Sequence, residues 1–506
     1  MISPVKMRLE LKKGINNTYL IDDTYNHDLA GLTRALDFMN QQNQLTKKTV
    51  ILSDFIRSKN SSQFYSALND LLIKKGVDKL VAIGPELFTN KAQFSVSTEF
   101  FDDVEALLGS KTLRQFKNEL ILIKGAPDFT LEKVSKSLVE KGHKTILEIN
   151  LDAIIHNLNF YKSLLKPETQ VMVVVKALAY GAGSTEISKL LEYHKVDYLS
   201  VAYVDEGILL RQDGIKAPIM VMNASQDEPF NLMRYDLEPE IYSLEQLKSF
   251  LSAYQLANKV LPAHLILNTG MNRLGFNESD LDSLIDTIAN NPQIHIKSIF
   301  THLAASDDQT QEGFTREQVA LFRNGADKID VALSYKPIRH ILNSGGIVRH
   351  NEFQEDMVRL GIGLHGIEVS ALSADKLKNP ATLKTIVSQI RTVKAGETIG
   401  YARKGKAEKE MTVATIAVGY ADGYLRYFSN GNAYVMINGQ KAKTIGSICM
   451  DMTMVDITGL EVHAGDEVVV FGTNPTVSQL AEWGNTIPYE ILTNINNRVK
   501  RVFYSE

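Results

Sequence analysis

The chain has 506 residues, 44% of them hydrophobic and 23% charged, with a formal net charge of -4. That length exceeds one ordinary core, so several domains are expected, and so small a charge implies no polyelectrolyte partner such as nucleic acid. A single cysteine, Cys449, cannot form a disulfide within the chain and suits a reducing cytoplasm, and no apolar run reaches the roughly 20 residues of a membrane span.

Up to about residue 143, short apolar segments alternate with amphipathic ones. TYLIDD (18–23), TVILSD (49–54), KLVAIG (79–84) and ELILIKG (119–125) read as buried strands. LAGLTRALDFMNQ (29–41), SSQFYSALNDLLIKKG (61–76) and TLEKVSKSLVEKG (130–142) read as helices, with apolar residues three and four apart. The alternation predicts a Rossmann-like α/β domain over residues 1–143, a parallel sheet covered by helices.

Residues 144–372 repeat the alternation more regularly. The candidate strands are VMVVVK (171–176), DYLSVA (197–202), PIMVM (218–222), PEIYS (239–243), HLILN (264–268), IKSIFTH (296–302), RHILNS (339–344) and MVRLGIG (357–363). Eight strand–crossover units in this length predict a (β/α)8 barrel. Residues 373–506 change character: TVATIAVGYA (412–421), NAYVMINGQKAK (432–443) and DEVVVFG (466–472) read as strands joined by Gly and Asn turns. ITGLEVHAGDEVVV (457–470) suggests one more hairpin, and short helices are expected near 477–483 and 490–497. The whole is therefore an α/β chain ending in a mainly β domain.

Barrel enzymes carry their active sites at the C-terminal ends of the strands. The first barrel strand delivers Lys176 after five apolar residues. A partly desolvated amine there has the properties of a Schiff-base lysine, although on position alone a solvated strand-end lysine is the commoner reading. The last two strands deliver Asn343-Ser344-Gly345-Gly346 and Gly361-Ile362-Gly363. Such loops let backbone N–H groups point at a phosphate, and the Ser344 hydroxyl adds a donor. Arg359 sits within the eighth strand, as a barrel-facing guanidinium or as half of a structural salt bridge.

These segments resemble a known family. VVKALAYGAG (174–183) is similar to the cofactor-lysine signature of alanine racemases, which depend on pyridoxal 5'-phosphate (PLP). LNTGMNRLGF (267–276), THLAASDD (301–308), HILNSGG (340–346), VRLGIGLHG (358–366), VGYADGY (418–424), CMD (449–451) and PYE (488–490) follow in that family's order. The resemblance implies a PLP-binding barrel followed by a β domain, interconverting L- and D-alanine and supplying D-alanine for peptidoglycan. It implies that Lys176 holds the cofactor and is one of two acid/base groups. The second would be Tyr420, arriving from the partner subunit of a homodimer on the opposite face of the substrate. Arg359 would face the pyridine nitrogen, and His302 would pack by the ring and, with Arg359, tune Tyr420. Tyr180, Ser344, Gly361, Ile362 and Tyr489 would hold the phosphate, with Asn343 also among the cofactor-binding residues. Arg273 and the backbone at Met450 would hold the substrate carboxylate, and no metal is called for.

The chain departs from the family at four positions. Ile266 and Asn268 stand where a lysine, often carbamylated, and an aspartate are common, Leu178 where asparagine is usual, and Ser447 where arginine is usual. These leave a broader racemase, for instance one acting on serine, and a non-catalytic cell-wall scaffold as alternatives. Residues 5–140 resemble the C-terminal domain of the UDP-N-acetylmuramoyl-tripeptide:D-alanyl-D-alanine ligase, through IDDTYN (21–26) and ILIKG (121–125). Ala126 and Pro127 break that match, and no GxxxxGK[ST] phosphate loop occurs. The expectation is a ligase–racemase fusion cut short, without ligase activity alone.

Overall fold

The computed structural model describes residues 9–23, 28–42, 45–55, 62–139, 144–370 and 372–505. The chain divides into two compact units, Met1–Asn150 with Lys500–Glu506, and Leu151–Val499. In the first unit the strands are β1 (Leu9–Gly14), β2 (Thr18–Asp23), β3 (Lys47–Ser53), β4 (Lys79–Ile83), β5 (Ser97–Phe101), β6 (Glu119–Lys124), β7 (Ile146–Asn150) and the returning strand Lys500–Ser505.

β2, β6, β3, β4 and β5 lie side by side in that order, all parallel. β1 is antiparallel to β2 and to the returning strand, which runs parallel to β7. The four strands expected from their apolar runs all form. β1 and β5 were not expected, because LELKKG and STEFF carry no continuous apolar run. Helix Glu132–Leu138 packs Val134 and Leu138 on Leu20, Ile51, Val81, Ile121 and Ile123 of the sheet. It is shorter than the expected 130–142, whose last residues, 140–142, lie outside the described ones, as do Tyr25 and Asn26 of the IDDTYN segment.

In the second unit eight parallel strands close into a barrel: β8 (Gln170–Val174), β9 (Tyr198–Val201), β10 (Ile219–Val221), β11 (Glu238–Ile241), β12 (Leu261–Ile266), β13 (Ile294–Phe300), β14 (Ile338–His340) and β15 (Met357–Leu360). β15 pairs with β8 to complete the ring. Each corresponds to one expected strand. Inside, Met172, Tyr198, Met220, Ile266, Phe300 and Met357 form one apolar cluster, so the barrel is filled rather than hollow. β13 begins and ends two residues earlier than its apolar run suggests, which leaves Thr301 and His302 beyond the strand, at the mouth.

The β domain comprises β16 (Ala381–Val393), the small hairpin of β17 (Thr398–Ile399) and β18 (Gly405–Lys406), β19 (Met411–Ile416), β20 (Tyr434–Ile437), β21 (Gln440–Thr444), β22 (Thr453–Asp456) and β23 (Glu467–Phe471). The antiparallel order is β19-β22-β21-β20-β23-β16, with β16 pairing back to β19. Asn438 and Gly439 turn β20 into β21 with φ of 49° and 75°, the left-handed pair that a tight hairpin needs.

The hairpin expected over 457–470 does not form: β22 pairs with β19 and β21, and β23 with β16 and β20. The Asp456 carboxylate accepts from Thr458 N at 2.9 Å and that of Asp466 from His463 N at 2.8 Å. Those local turns take the donors a ladder would use. The helix expected at 490–497 runs instead over Pro488–Thr493, with Pro488 in its first turn. Among the described residues, no helix is long and apolar enough to cross a membrane.

Candidate active site

After β8 the chain makes an unusual turn. Ala177, Leu178, Ala179 and Tyr180 are all left-handed, with φ of 52°, 56°, 49° and 55°, at a cost of roughly 1–2 kcal/mol per residue. Bonds from Ala179 N to Val175 O (2.9 Å), Gly181 N to Ala177 O (2.9 Å) and Gly183 N to Leu178 O (2.8 Å) close it. The Glu206 carboxylate anchors it, accepting from Ala177 N and Ala202 N at 2.7 Å each. A Cβ on Gly181 would lie 2.3 Å from Leu492 O. Glycine there lets the helix Pro488–Thr493 close in, with the Tyr489 and Tyr180 rings 5.9 Å apart.

Lys176 opens this turn. Its Nζ meets Met222 Sδ at 3.9 Å, a weak contact. Burial, and then the guanidinium of Arg273, hold the amine below the ordinary lysine range, while Glu240 and Glu206 oppose them. Lys176 is thus a half-buried, partly desolvated amine at the barrel mouth.

Beside it, the ends of β14 and β15 form a cradle. Ser344 Oγ accepts from Gly361 N at 2.9 Å and Gly363 N at 3.3 Å. Asn343 caps the helix Ser344–Arg349, its Oδ1 accepting from Gly346 N (2.9 Å) and Ser306 Oγ (2.7 Å). A Cβ on Gly361 would lie 2.6 Å from Tyr180 Oη, so a glycine keeps that hydroxyl at the cradle's edge. Ile362 is buried. Burial holds the Tyr180 and Tyr489 phenols protonated, that of Tyr489 pushed up to about 12.

Arg359, 3% exposed, lies 5.0 Å over the Phe300 ring. Its Nη1 donates to His340 Nδ1 (2.7 Å) and its Nη2 to the carbonyls of Thr301 (2.6 Å) and Ile341 (3.0 Å). His302 Nδ1 stands 3.5 Å from Nη2. Because a guanidinium has no acceptor, His340 Nδ1 accepts and His340 Nε2 donates to Ser298 Oγ at 2.7 Å. Behind it Ser298 Oγ meets His264 Nδ1 at 2.7 Å, and His264 Nε2 meets Glu238 Oε2 at 2.8 Å. This chain crosses the barrel interior. Burial and the neighbouring Arg359 push His302 down to about 3 and His340 well below its usual value. Glu240, also interior, is pushed up to about 8 by burial, against the pull of Arg359, Arg273 and Lys176.

Arg273 is exposed, on a loop closed by the Leu267–Phe276 bridge. Asn268 organises that loop: its amide donates to Asn272 and Asn277 at 2.9 Å each, and its oxygen accepts from Asn272 N at 3.0 Å.

Tyr420 and Met450 meet elsewhere, on the β domain. Tyr420 N donates to Cys449 O and Ala421 N to Met450 O, both at 3.0 Å. A Cβ on Gly419 would lie 2.3 Å from Met450 O, so only glycine allows the two loops this contact. Buried Asp422 accepts from Gly419 N (2.9 Å) and from Arg498 Nε (2.7 Å), and Arg498 also holds Asp451 at 2.7 Å. Tyr420 is 38% exposed and Met450 53%. Among the described residues no hydrogen bond joins the Tyr420 side chain to the barrel mouth.

The structure therefore gathers Lys176, Tyr180, His302, Asn343, Ser344, Arg359, Gly361, Ile362 and Tyr489 around one mouth, with Tyr420 and Met450 on a separate loop pair. Sequence reasoning passed over Glu206, Glu240 and the His340–Ser298–His264–Glu238 chain. The available signal was a single polar residue at an inward position of successive apolar strands.

A closed parallel barrel, with a partly desolvated amine at its mouth and an anion cradle over its last two strands, is the frame of an enzyme that works with a phosphorylated cofactor. Residues 149–369 match the N-terminal domain of alanine racemases and residues 381–503 the C-terminal domain. Alanine racemase 1 of Caldanaerobacter subterraneus subsp. tengcongensis is 34% identical over 71% of this chain and 95% of its own length, and the Clostridium novyi enzyme 37% over 70% and 94%. The solved alanine racemase of Clostridium difficile 630 superposes with a TM-score of 0.69 at 34% identity, covering 72% of this chain and 97% of that one. That of Bartonella henselae, which carries covalently bound pyridoxal phosphate, superposes with a TM-score of 0.66 at 30% identity, over 71% and 99%. The chain belongs to the alanine racemase family, and its cofactor is PLP. The residues present fit that group: an amine placed for a covalent bond, and a glycine cradle with tyrosine hydroxyls at its rim.

Proposed function

We propose that this enzyme interconverts L- and D-alanine with two bases, Lys176 and Tyr420, on opposite faces of the substrate. The observation that carries the reading is Lys176 itself, half-buried, depressed below the usual lysine range and set beside the cradle. When bound, PLP delocalises the electron pair left as the Cα proton departs. Lys176 Nζ takes or returns that proton on one face, and Tyr420 Oη does so on the other. Tyr180, Ser344, Gly361, Ile362 and Tyr489 would hold the phosphate, while Asn343 fixes the turn they stand on. Arg359 would face the ring nitrogen, and His302 would pack against the ring. Arg273 and the Met450 N–H would take the substrate carboxylate.

The exposure of Tyr420 and Met450 supports a homodimer in which this loop pair completes the partner's barrel mouth. The product D-alanine would serve peptidoglycan synthesis in the cytoplasm. For the organisation, we read residues 1–143 as a Rossmann-like domain, 144–372 as the barrel and 373–506 as the β domain. The parallel run β2-β6-β3-β4-β5 supports likeness of the first part to the muramyl-ligase C-terminal domain, without ligase activity.

The test is conversion of L-alanine by the PLP-loaded protein, followed by chiral chromatography. Lys176→Ala and Tyr420→Phe should each lower the rate on the order of 10²–10⁴-fold. A Tyr420→Phe enzyme with undiminished turnover would remove the second base from the account.

A further inference from the structure

Behind the cradle lies a group that these roles leave idle. Tyr161, on the helix Leu151–Ser163, is 1% exposed, and its hydroxyl has no hydrogen-bond partner among the described residues. It comes in at Gly363, whose N–H reaches Ser344 Oγ at 3.3 Å. A Cβ on Gly363 would lie 2.2 Å from Tyr161 Oη, 2.4 Å from its Cζ and 2.5 Å from its Cε2. Gly363 is not among the residues of positive φ, so its backbone does not demand glycine. The space taken by the phenol does.

Native interiors rarely leave a polar atom unpaired, and each such atom calls for an explanation. A leucine or phenylalanine at 161 would fill the helix face without burying a hydroxyl. Burial, with the carboxylate of Glu368 and the phenol of Tyr489 nearby, keeps Tyr161 protonated. Its hydroxyl is therefore a donor across the neutral range, and it lies against Gly363, whose N–H reaches Ser344 Oγ in the cradle. A hydroxyl donor set against a turn of backbone N–H groups and a serine hydroxyl suits a ligand with several acceptor oxygens.

We propose that Tyr161 is a further donor to the anion held in this cradle, its hydroxyl bonding the cofactor's phosphate, and that Gly363 is glycine in order to admit it. This rests on the reading of the cradle as the phosphate site.

The experiment strips the full-length protein of cofactor and titrates it with PLP, with pyridoxal, which lacks the phosphate, and with inorganic phosphate as competitor. Tyr161→Phe should weaken PLP about tenfold, the loss of one charge-assisted hydrogen bond, and leave pyridoxal unchanged. Inorganic phosphate should compete less well for the variant. Ser344→Ala serves as the reference for the cradle itself. If Ser344→Ala weakens PLP and Tyr161→Phe does not, the inference is overturned while the cradle reading stands. If neither weakens PLP, the cradle reading falls and takes the inference with it. Equal weakening of PLP and pyridoxal by Tyr161→Phe would mean a packing defect and also overturn it. Gly363→Ala should lose PLP affinity through the clash, and Tyr161→Leu in the same chain should restore folding but not the lost affinity. Full restoration of affinity would count against the hydroxyl.

Discussion

At the barrel mouth Arg359 is 3% exposed and its donors end on three carbonyls and a histidine nitrogen, whereas Tyr420 on the β domain is 38% exposed and held through its backbone. The first region is finished within one chain: its side chains are desolvated, shifted in pKa and locked by a hydrogen-bonded chain behind them. The second is a hydrogen-bonded mount whose side chain stands partly exposed. Asp422, buried between Gly419 and Arg498, holds that mount. The difference teaches that rigidity and completeness are separate properties. Both halves are preorganised, and only one has its chemistry around it.

Variants at the two supports should separate these halves. Arg359→Ala would strand the Thr301 and Ile341 carbonyls and His340 Nδ1, at about 1–3 kcal/mol each, so a loss of several kcal/mol in denaturant stability and weak PLP retention are expected. Asp422→Ala should cost less, about 1–3 kcal/mol, because Arg498 is part-exposed and recovers water. It should slow turnover by roughly tenfold through a loosened Tyr420 while PLP binding stays at the wild-type level. An Asp422→Ala enzyme that loses PLP as readily as the Arg359 variant would erase the distinction between the halves.

A smaller effect concerns acid. Burial pushes His302 to about 3 and His365 to about 4, with His340 well below its usual 6.5. Below about pH 6.5 the unfolded chain takes up protons that the folded barrel refuses, so stability is full above that pH and falls toward pH 4. Glu240, raised to about 8, works the other way, its proton being kept on folding between its usual 4.5 and 8. The histidines outnumber it, so the urea midpoint should drop between pH 6.5 and 4.5. His365→Asn should flatten that slope. A midpoint that rises toward acid would contradict the neutral, buried state of these histidines.

The eight barrel strands were legible because short, largely apolar segments recur at regular spacing with room for a crossover after each. β16 was not, since its pattern fades where a bulge between Val387 and Gln389 carries its second half into solvent. The cradle and Lys176 were legible as residue types in strand-end positions, and the resemblance to alanine racemases supplied their roles. The interior chain was not, for His264, Ser298 and His340 are lone polar residues on three strands and meet only when the barrel closes. Tyr161 reads from sequence as an ordinary core tyrosine. Its meaning depends on Gly363, some two hundred residues away.

The most direct test of the shared, two-base site is subunit mixing. Lys176→Ala and Tyr420→Phe chains, each inactive, would be unfolded together, refolded with PLP and assayed on L-alanine. In a two-fold dimer whose tyrosine comes from the partner, half the dimers are hybrids and one of their two sites is intact. Activity should therefore return to about a quarter of the wild-type level. No recovery, with hybrid dimers present and PLP bound, would place Tyr420 and Lys176 of the same chain in one site or take Tyr420 out of the reaction.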